Sequence, residues 1–406
     1  MSDPAERRGK KPATDDTPVH LPDEIIAEIL VHLPDRSVIR CGAACKAWRR
    51  ITTDPHFRER RRLPASVLLY TYLPEAPMPL PGTGGGRYAI DVAVDALPVS
   101  SDEAGRRRLI RYTAPAHCSL LASCNGVLLF KKDGRYLLCN PVTRQWAQLP
   151  RLPDEYYKGY NREFAFYVHR PSGEFRIICC LNRSTWYIIS TAAAAPRHII
   201  MNSEATETIT RFLFDTPETT PPVVLHGDLY WPPPWASHAI ETSMVMFDIV
   251  SETFHLMAGP PRREGTWPAL KLLEMDGVLV VADFGKTGHV DLWFLEDYVA
   301  RRWEHRHRVV LPCESDIRWP RHDLHLVFVA AAGDDGNVIL GDDYGLVVYN
   351  VRRSRIVRTI DSLVVDSLDA QVTIMSRHVF KISWEQHTCF NTLPSTSIPL
   401  IHSFAD

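Results

Sequence analysis

Five turns of similar make-up recur along this chain at nearly even spacing, and that repeat restricts the possible folds more than any single motif. They are "CNPVTRQW" around Thr143, "ISTAAAAPRH" around Ala193, "FDIVSETF" around Ser251, "LEDYVARRW" around Val299 and "YNVRRSRIV" around Arg353. Their separations are 50, 58, 48 and 54 residues. Between them run short segments rich in Val, Ile, Leu, Tyr, Phe and Trp, such as "GVLLF", "FRIICC", "MVMFDI", "GVLVVADF" and "GLVVYNV", punctuated by Pro, Gly and Asp. Such runs read as strands, and a unit of about fifty residues holding several of them fits one blade of a β-propeller of the kelch kind. A blade cannot cover both of its own faces. Aromatic residues therefore have to pack between neighbouring blades, which accounts for Trp146, Trp186, Trp231, Trp293 and Trp303 without any ligand. The five turns mark five units, and strands before about residue 112 and after about residue 365 can supply a sixth by closing the ring. The expected class is a multidomain α + β protein: a small helical domain followed by an all-β domain of about six blades.

The first 62 residues read differently. Residues 1–17 are polar and aperiodic, which suits a disordered tail. From Leu21 the pattern is helical. Pro22, Asp23 and Glu24 suit a first turn, since proline needs no N–H there and carboxylates favour the positive end of the helix dipole. Ile25, Ile26, Ile29, Leu30 and Leu33 fall on one side of that helix, and Pro34 ends it. Two further short helices follow, the later one placing Cys41, Ala44, Cys45, Trp48 and Ile51 together, and Asp54-Pro55 opens a basic fourth. The domain boundaries expected are 1–17 for the tail, 18–62 for the helical domain and 63–406 for the β-domain. A helical unit this small buries too little apolar surface to stand alone, so part of its wide aliphatic face is expected to belong to another protein's core.

Charge and cysteine usage narrow the functional classes. The chain of 406 residues carries a net charge of −2, which gives no general reason for nucleic-acid binding. Within residues 36–62, however, nine Lys and Arg stand against Asp54 and Glu59, and the basic cluster suits an acidic partner. No apolar run is long enough to cross a bilayer. The N-terminus lacks the pattern of a secretory leader, and nine scattered cysteines form no disulfide framework. A cytoplasmic or nuclear protein in a reducing compartment is expected, and "RRGKK" at residues 7–11 has the form of a short nuclear signal, a form that is also common in disordered tails.

No constellation argues for catalysis or a cofactor. His305 and His307 precede Cys313, but the alternation of "RRWEHRHRVV" reads as a strand with both histidines beside Trp303 and Val309. His322 and His325 have no partner ligands in sequence. Asp334, Asp335, Asp342 and Asp343 lack the alternating spacing of a calcium loop and read as turns. "PLPGTGGGRYA" has no phosphate-binding lysine, and Cys124 precedes an Asn-Gly hairpin signal without an identifiable base. "YWPPPWASH" offers Trp231 and Trp235 on a stiff proline-rich loop, the form of a binding anchor, and both are candidate substrate contacts.

The stretch "LPDEIIAEILVHLPDRSVIRCGAACKAWRRITTDPHF" resembles an F-box over its whole length of roughly forty residues. The phrases "SCNGVLLF", "CNPVTRQW", "VLHGDLYWPP", "MVMFDIVSETF" and "VDLWFLEDYVARRW" are similar, in order, to plant F-box-associated domains. The resemblance implies a non-enzymatic substrate receptor of a Skp–cullin–F-box ubiquitin ligase. The F-box would dock on a Skp-type adaptor and through it on cullin, and the β-domain would capture an unidentified protein substrate. Neither nucleic acid nor membrane is implied. Carried over by position, Leu21, Pro22, Glu24, Ile25, Leu33, Pro34 and Val38 are expected at the adaptor interface, and Trp48 inside the helical domain with Ile29 and Leu30 facing it. Gly42 and Ala44 depart from the family pattern, where Arg and a larger aliphatic are common, so adaptor binding is expected to be weaker than typical. The alternatives are a propeller-fold enzyme, oxidase or glycan-acting, and an F-box scaffold that works outside a ligase.

Overall fold

The structure is a computed structural model. It describes residues 21–395 apart from internal stretches, the longest being 311–327 and 234–242. The expected tail, Pro34 and Trp235 lie outside the described residues, as do Cys313, His322, His325, Asp334, Asp335, Asp342 and Asp343. The chain divides into two compact units, Met1–Arg62 and Leu63–Asp406.

Among the described residues the first unit holds helices α1 (Asp23–Val31), α2 (Asp35–Ala44) and α3 (Lys46–Thr53). Asp23 and Glu24 occupy the first turn of α1 behind Pro22, as helix-dipole electrostatics favours. Cys45 caps α3, its Sγ accepting the Trp48 N–H at 3.4 Å, and Asp54 Oδ1 accepts from the N–H groups of His56 and Phe57 at 2.8 and 3.3 Å. Arg50 of α3 pairs with Asp23 of α1. Among the described residues, Leu30, Val38, Ile51 and Phe57 are the unit's buried apolar residues.

In the second unit the described strands form six four-stranded antiparallel sheets arranged as a β-propeller, together with a two-stranded ribbon of Asp366–Ser367 and Ala370–Gln371. The first sheet combines β1 (Ser66–Pro79), β2 (Tyr88–Pro98) and β3 (Arg107–Pro115) with the last strand, β26 (Ile374–Phe380). Ser66 pairs with Phe380 and Thr71 with Ile374, so the two ends of the domain share one sheet, as the sequence reading expects for ring closure. The other five sheets are each built from consecutive strands, within residues 118–148, 161–199, 223–258, 270–310 and 328–361.

Neighbouring sheets are joined by apolar seams. Leu128, Phe130 and Trp146 of the second sheet meet Val92, Val94 and Ile110 of the first. Trp186 of the third sheet and Trp231 of the fourth share a cluster with Leu213 of a helix inserted between those sheets, α4 (Ala205–Asp215). Trp303 of the fifth sheet lies against Leu225 and Met257 of the fourth. Each such ring removes roughly 200 Å² from water, about 5 kcal/mol of gross apolar stabilisation. Packing between blades is thus the role of these tryptophans.

The repeated turns have a common construction. Each links the third and fourth strand of a sheet, and each opens with a side chain that bonds its own turn. Asn140 Oδ1 accepts from the N–H of Val142 and Thr143, Asp248 Oδ1 from Val250 and Ser251, and Asp297 Oδ1 from Val299 and Ala300, all between 2.7 and 3.1 Å. Asn350 does the same for Arg353 and Ser190 for Ala192. Four residues after each Asn or Asp the backbone turns left-handed, at Arg144, Glu252, Arg301 and Ser354, with φ between 49° and 60°. A short polar side chain satisfies the turn locally, whatever else the turn carries.

A last segment, with the short helix α5 (Cys389–Thr392), packs beside the second and third sheets. It passes close to Gly126, where a Cβ would stand 2.5 Å from that of Ser383, so only glycine, here at φ +75°, permits the approach.

Candidate functional site

The outward face of α1 is the feature that packing inside its own unit leaves unexplained. Leu21, Ile25 and Ile29 follow one another at four-residue intervals, the spacing of a single helical stripe, and are 44%, 49% and 50% exposed. Pro22 and Glu24 beside them are exposed as well. Leu30, on the opposite side, is 1% exposed, while Ile26 and Leu33 are half-buried. The wide aliphatic face read from the sequence is therefore two faces: one inside the unit, and one that presents large aliphatic side chains at regular spacing.

Two expected positions change place. Val38 is fully buried, so it is a core residue of the helical unit and has no surface to offer an adaptor. Ile29 is half exposed rather than turned inward towards a half-buried Trp48, because its four-residue step from Ile25 keeps it on the outer stripe. Gly42 has a packing reason: a Cβ there would stand 2.7 Å from Thr52 Oγ1, so its absence lets α2 and α3 approach.

In the propeller, Trp231 is 2% exposed and its indole N–H donates to Phe164 O at 3.2 Å. It closes the seam between two blades and is not a surface anchor; that expectation is overturned by burial. On β19 (Arg302–Val310) a bulge opposite Leu292–Trp293 breaks the expected alternation: His305 faces the Trp293 and Trp303 side, while His307 faces the Phe294 and Val309 side. His305 Nε2 is 3.0 Å from Asp291 Oδ1, and Arg308 donates to both Asp291 oxygens at 2.6 and 3.0 Å. Burial alone would raise the Asp291 pKa, but these bonds and charges overcome it and hold the carboxyl down at about 2. The group is a permanently ionised strut between strands. Burial pushes the Cys124 thiol up to about 12, the opposite of an activated nucleophile. Among the described residues no group of His, Cys, Asp and Glu is placed to hold a metal ion.

Comparison with known proteins accounts for both units. The family model described as F-box associated beta propeller domain matches residues 100–361, and the F-box-like model matches residues 19–68. The chain belongs to the F-box-associated β-propeller family. This F-box protein has relatives of nearly its own extent in Arabidopsis thaliana. F-box protein At2g40925 is 25% identical over 82% of this chain and 83% of its own. F-box protein At4g19940 is 21% identical over 83% and 84%, and F-box protein At3g07870 is 22% identical over 70% and 71%. No helix among the described residues is long and apolar enough to cross a membrane.

Proposed function

We propose that this F-box protein is the non-catalytic substrate receptor of a Skp–cullin–F-box ubiquitin ligase, working in the cytoplasm or nucleus. The observation that carries the reading is the exposed stripe of Leu21, Ile25 and Ile29 inside the F-box match. Three large aliphatics at half exposure on one stripe lose apolar surface to water that a partner would recover, at about 25 cal/mol per Å². Pro22, Glu24 and Leu33 flank the stripe, and they and Pro34 complete the contact surface for a Skp-type adaptor. The propeller then carries the protein to be ubiquitinated.

Co-purification with a recombinant Skp-type adaptor tests the first half. Wild type is expected to be captured. Leu21→Ala with Pro22→Ala should weaken capture, and Ile25→Asp should abolish it while the propeller's melting transition is unchanged. Undiminished capture by Ile25→Asp would remove the basis of the proposal. Reconstitution with cullin should then give ubiquitin transfer to a propeller-bound protein. Adaptor binding without any transfer would favour a scaffold role instead.

A further inference from the structure

In a propeller the turns joining strands one to two and three to four emerge at the same end of every blade, because strands alternate in direction within each sheet. Side chains tie these turns together across blades here. Arg176 Nη1 lies 2.7 Å from Glu252 Oε1, the His226 and Tyr298 rings are 5.1 Å apart, and Arg352 Nη2 lies 2.7 Å from Asp276 Oδ1. These links join the third sheet to the fourth, the fourth to the fifth and the fifth to the sixth.

That end carries an apolar arc. The second residue after each capping side chain stands at the tip of its turn, where polar residues are the norm. Val250 is 72% exposed and Val299 94% exposed, at equivalent tips of adjacent blades, and Ala192–Ala195 are exposed on the next. A single exposed valine needs no explanation, but aligned tips on three successive blades form a surface. At the end of the arc on the third sheet a cavity of about 650 Å³ opens beside Ala192–Ala194, lined also by Gly173, Arg151 and Thr392.

Several carboxylates around the arc have partners, and three arginines there have none among the described residues. Glu174 is held by Arg176 and Ser190, and Glu252 by Arg176 and Arg197. Asp248 and Asp297 accept from the N–H groups of their own turns. Arg151, Arg170 and Arg301 are exposed and make no ion pair among the described residues.

We propose that this end of the propeller, over the third to fifth blades, docks an acidic protein segment bearing aliphatic side chains. The aliphatics seat on the valine tips and in the cavity, and the carboxylates meet Arg151, Arg170 and Arg301. The inference deepens the receptor reading, on which it rests, by placing the substrate surface at the end of the blades where strands one and two, and strands three and four, are joined.

The probe is a random linear-peptide library displayed on phage, panned against the full chain held by an affinity tag. Selected peptides are expected to be rich in Asp and Glu with Leu, Ile or Val. They should bind at least about tenfold more weakly to Val250→Asp with Val299→Asp, and to Arg301→Glu, while Trp235→Ala leaves them unchanged. Both valines are exposed, so the double variant should melt like wild type. Peptides without acidic bias, peptides indifferent to the arc variants, or no selected peptide at all would each overturn the proposal. Adaptor capture, read on the same preparation, separates the two ideas: arc-dependent acidic peptides on a chain that binds no adaptor would sink the ligase reading and leave the surface standing.

Discussion

His378 lies on β26, the strand that closes the ring, and burial lowers its pKa to about 4, against a contribution from the Leu120 backbone that raises it. The unfolded imidazole titrates near 6.5, so the native state binds fewer protons between those values. Stability from this group is therefore complete above about pH 6.5 and is lost as the pH falls towards 4, by up to roughly 3 kcal/mol. His169 and His307 are also lowered by burial and add loss in the same direction. Denaturant unfolding followed from pH 7 to pH 5 is expected to show falling stability, with a shallower slope for His378→Gln; an unchanged slope would remove His378 from the account. Arg162 is a second residue whose role no local pattern announces. Its guanidinium is 6% exposed, donates to Phe214 O at 2.9 Å and to Thr216 O, and lies 4.9 Å from the Phe164 ring centre. It thereby satisfies carbonyls at the end of α4, and Arg162→Leu should cost on the order of 2–4 kcal/mol because those acceptors are left buried and unmade.

At the scale of the element, the five turns were readable because their chemistry is local. An Asn, Asp or Ser that bonds its own turn leaves a signal within four residues, and repetition of that signal reveals the blade length. The positions that do the bonding are Asn140, Ser190, Asp248, Asp297 and Asn350, rather than the turn centres that first mark the repeat. Asn140 is fully buried, so Asn140→Ala should shift the chemical unfolding midpoint to lower denaturant, by about 2 kcal/mol, with the slope retained. A shift no larger than that of an exposed substitution such as Arg135→Ala would count against the turn account. Helix α1 shows where local patterning stops. Periodicity places its aliphatics on one side, but which of them turn inward depends on α2 and α3, and positions carried over from the F-box resemblance do not settle it for Ile29 of α1 or Val38 of α2. Trp231 failed for a related reason: a proline-rich neighbour signals a stiff loop, whereas its burial is decided by Phe164 on another blade, 67 residues away in sequence.

At the scale of the molecule, closure is the feature local sequence signals least, since Ser66 and Phe380 lie at opposite ends of the domain and pair only once the intervening sheets are in place. β26 lies against β1 along its length, and Phe380, fully buried, joins the seam of Val94, Leu128 and Trp146 between the first and second sheets. Removing the chain from Ile374 onward would strip the first sheet of a strand and uncover that seam. The loss of a buried Phe alone costs about 3–5 kcal/mol, and the row of unpaired N–H and C=O groups on β1 adds to it and invites pairing with a second chain. A chain ending at residue 373 is therefore expected to lose its cooperative melting transition or to associate, by calorimetry and light scattering. The helical unit, compact on its own account, should still be captured by the adaptor. A truncated chain that stays monomeric and melts like the full one would mean that the ring does not depend on β26, and that the five consecutive sheets hold together without the closing strand.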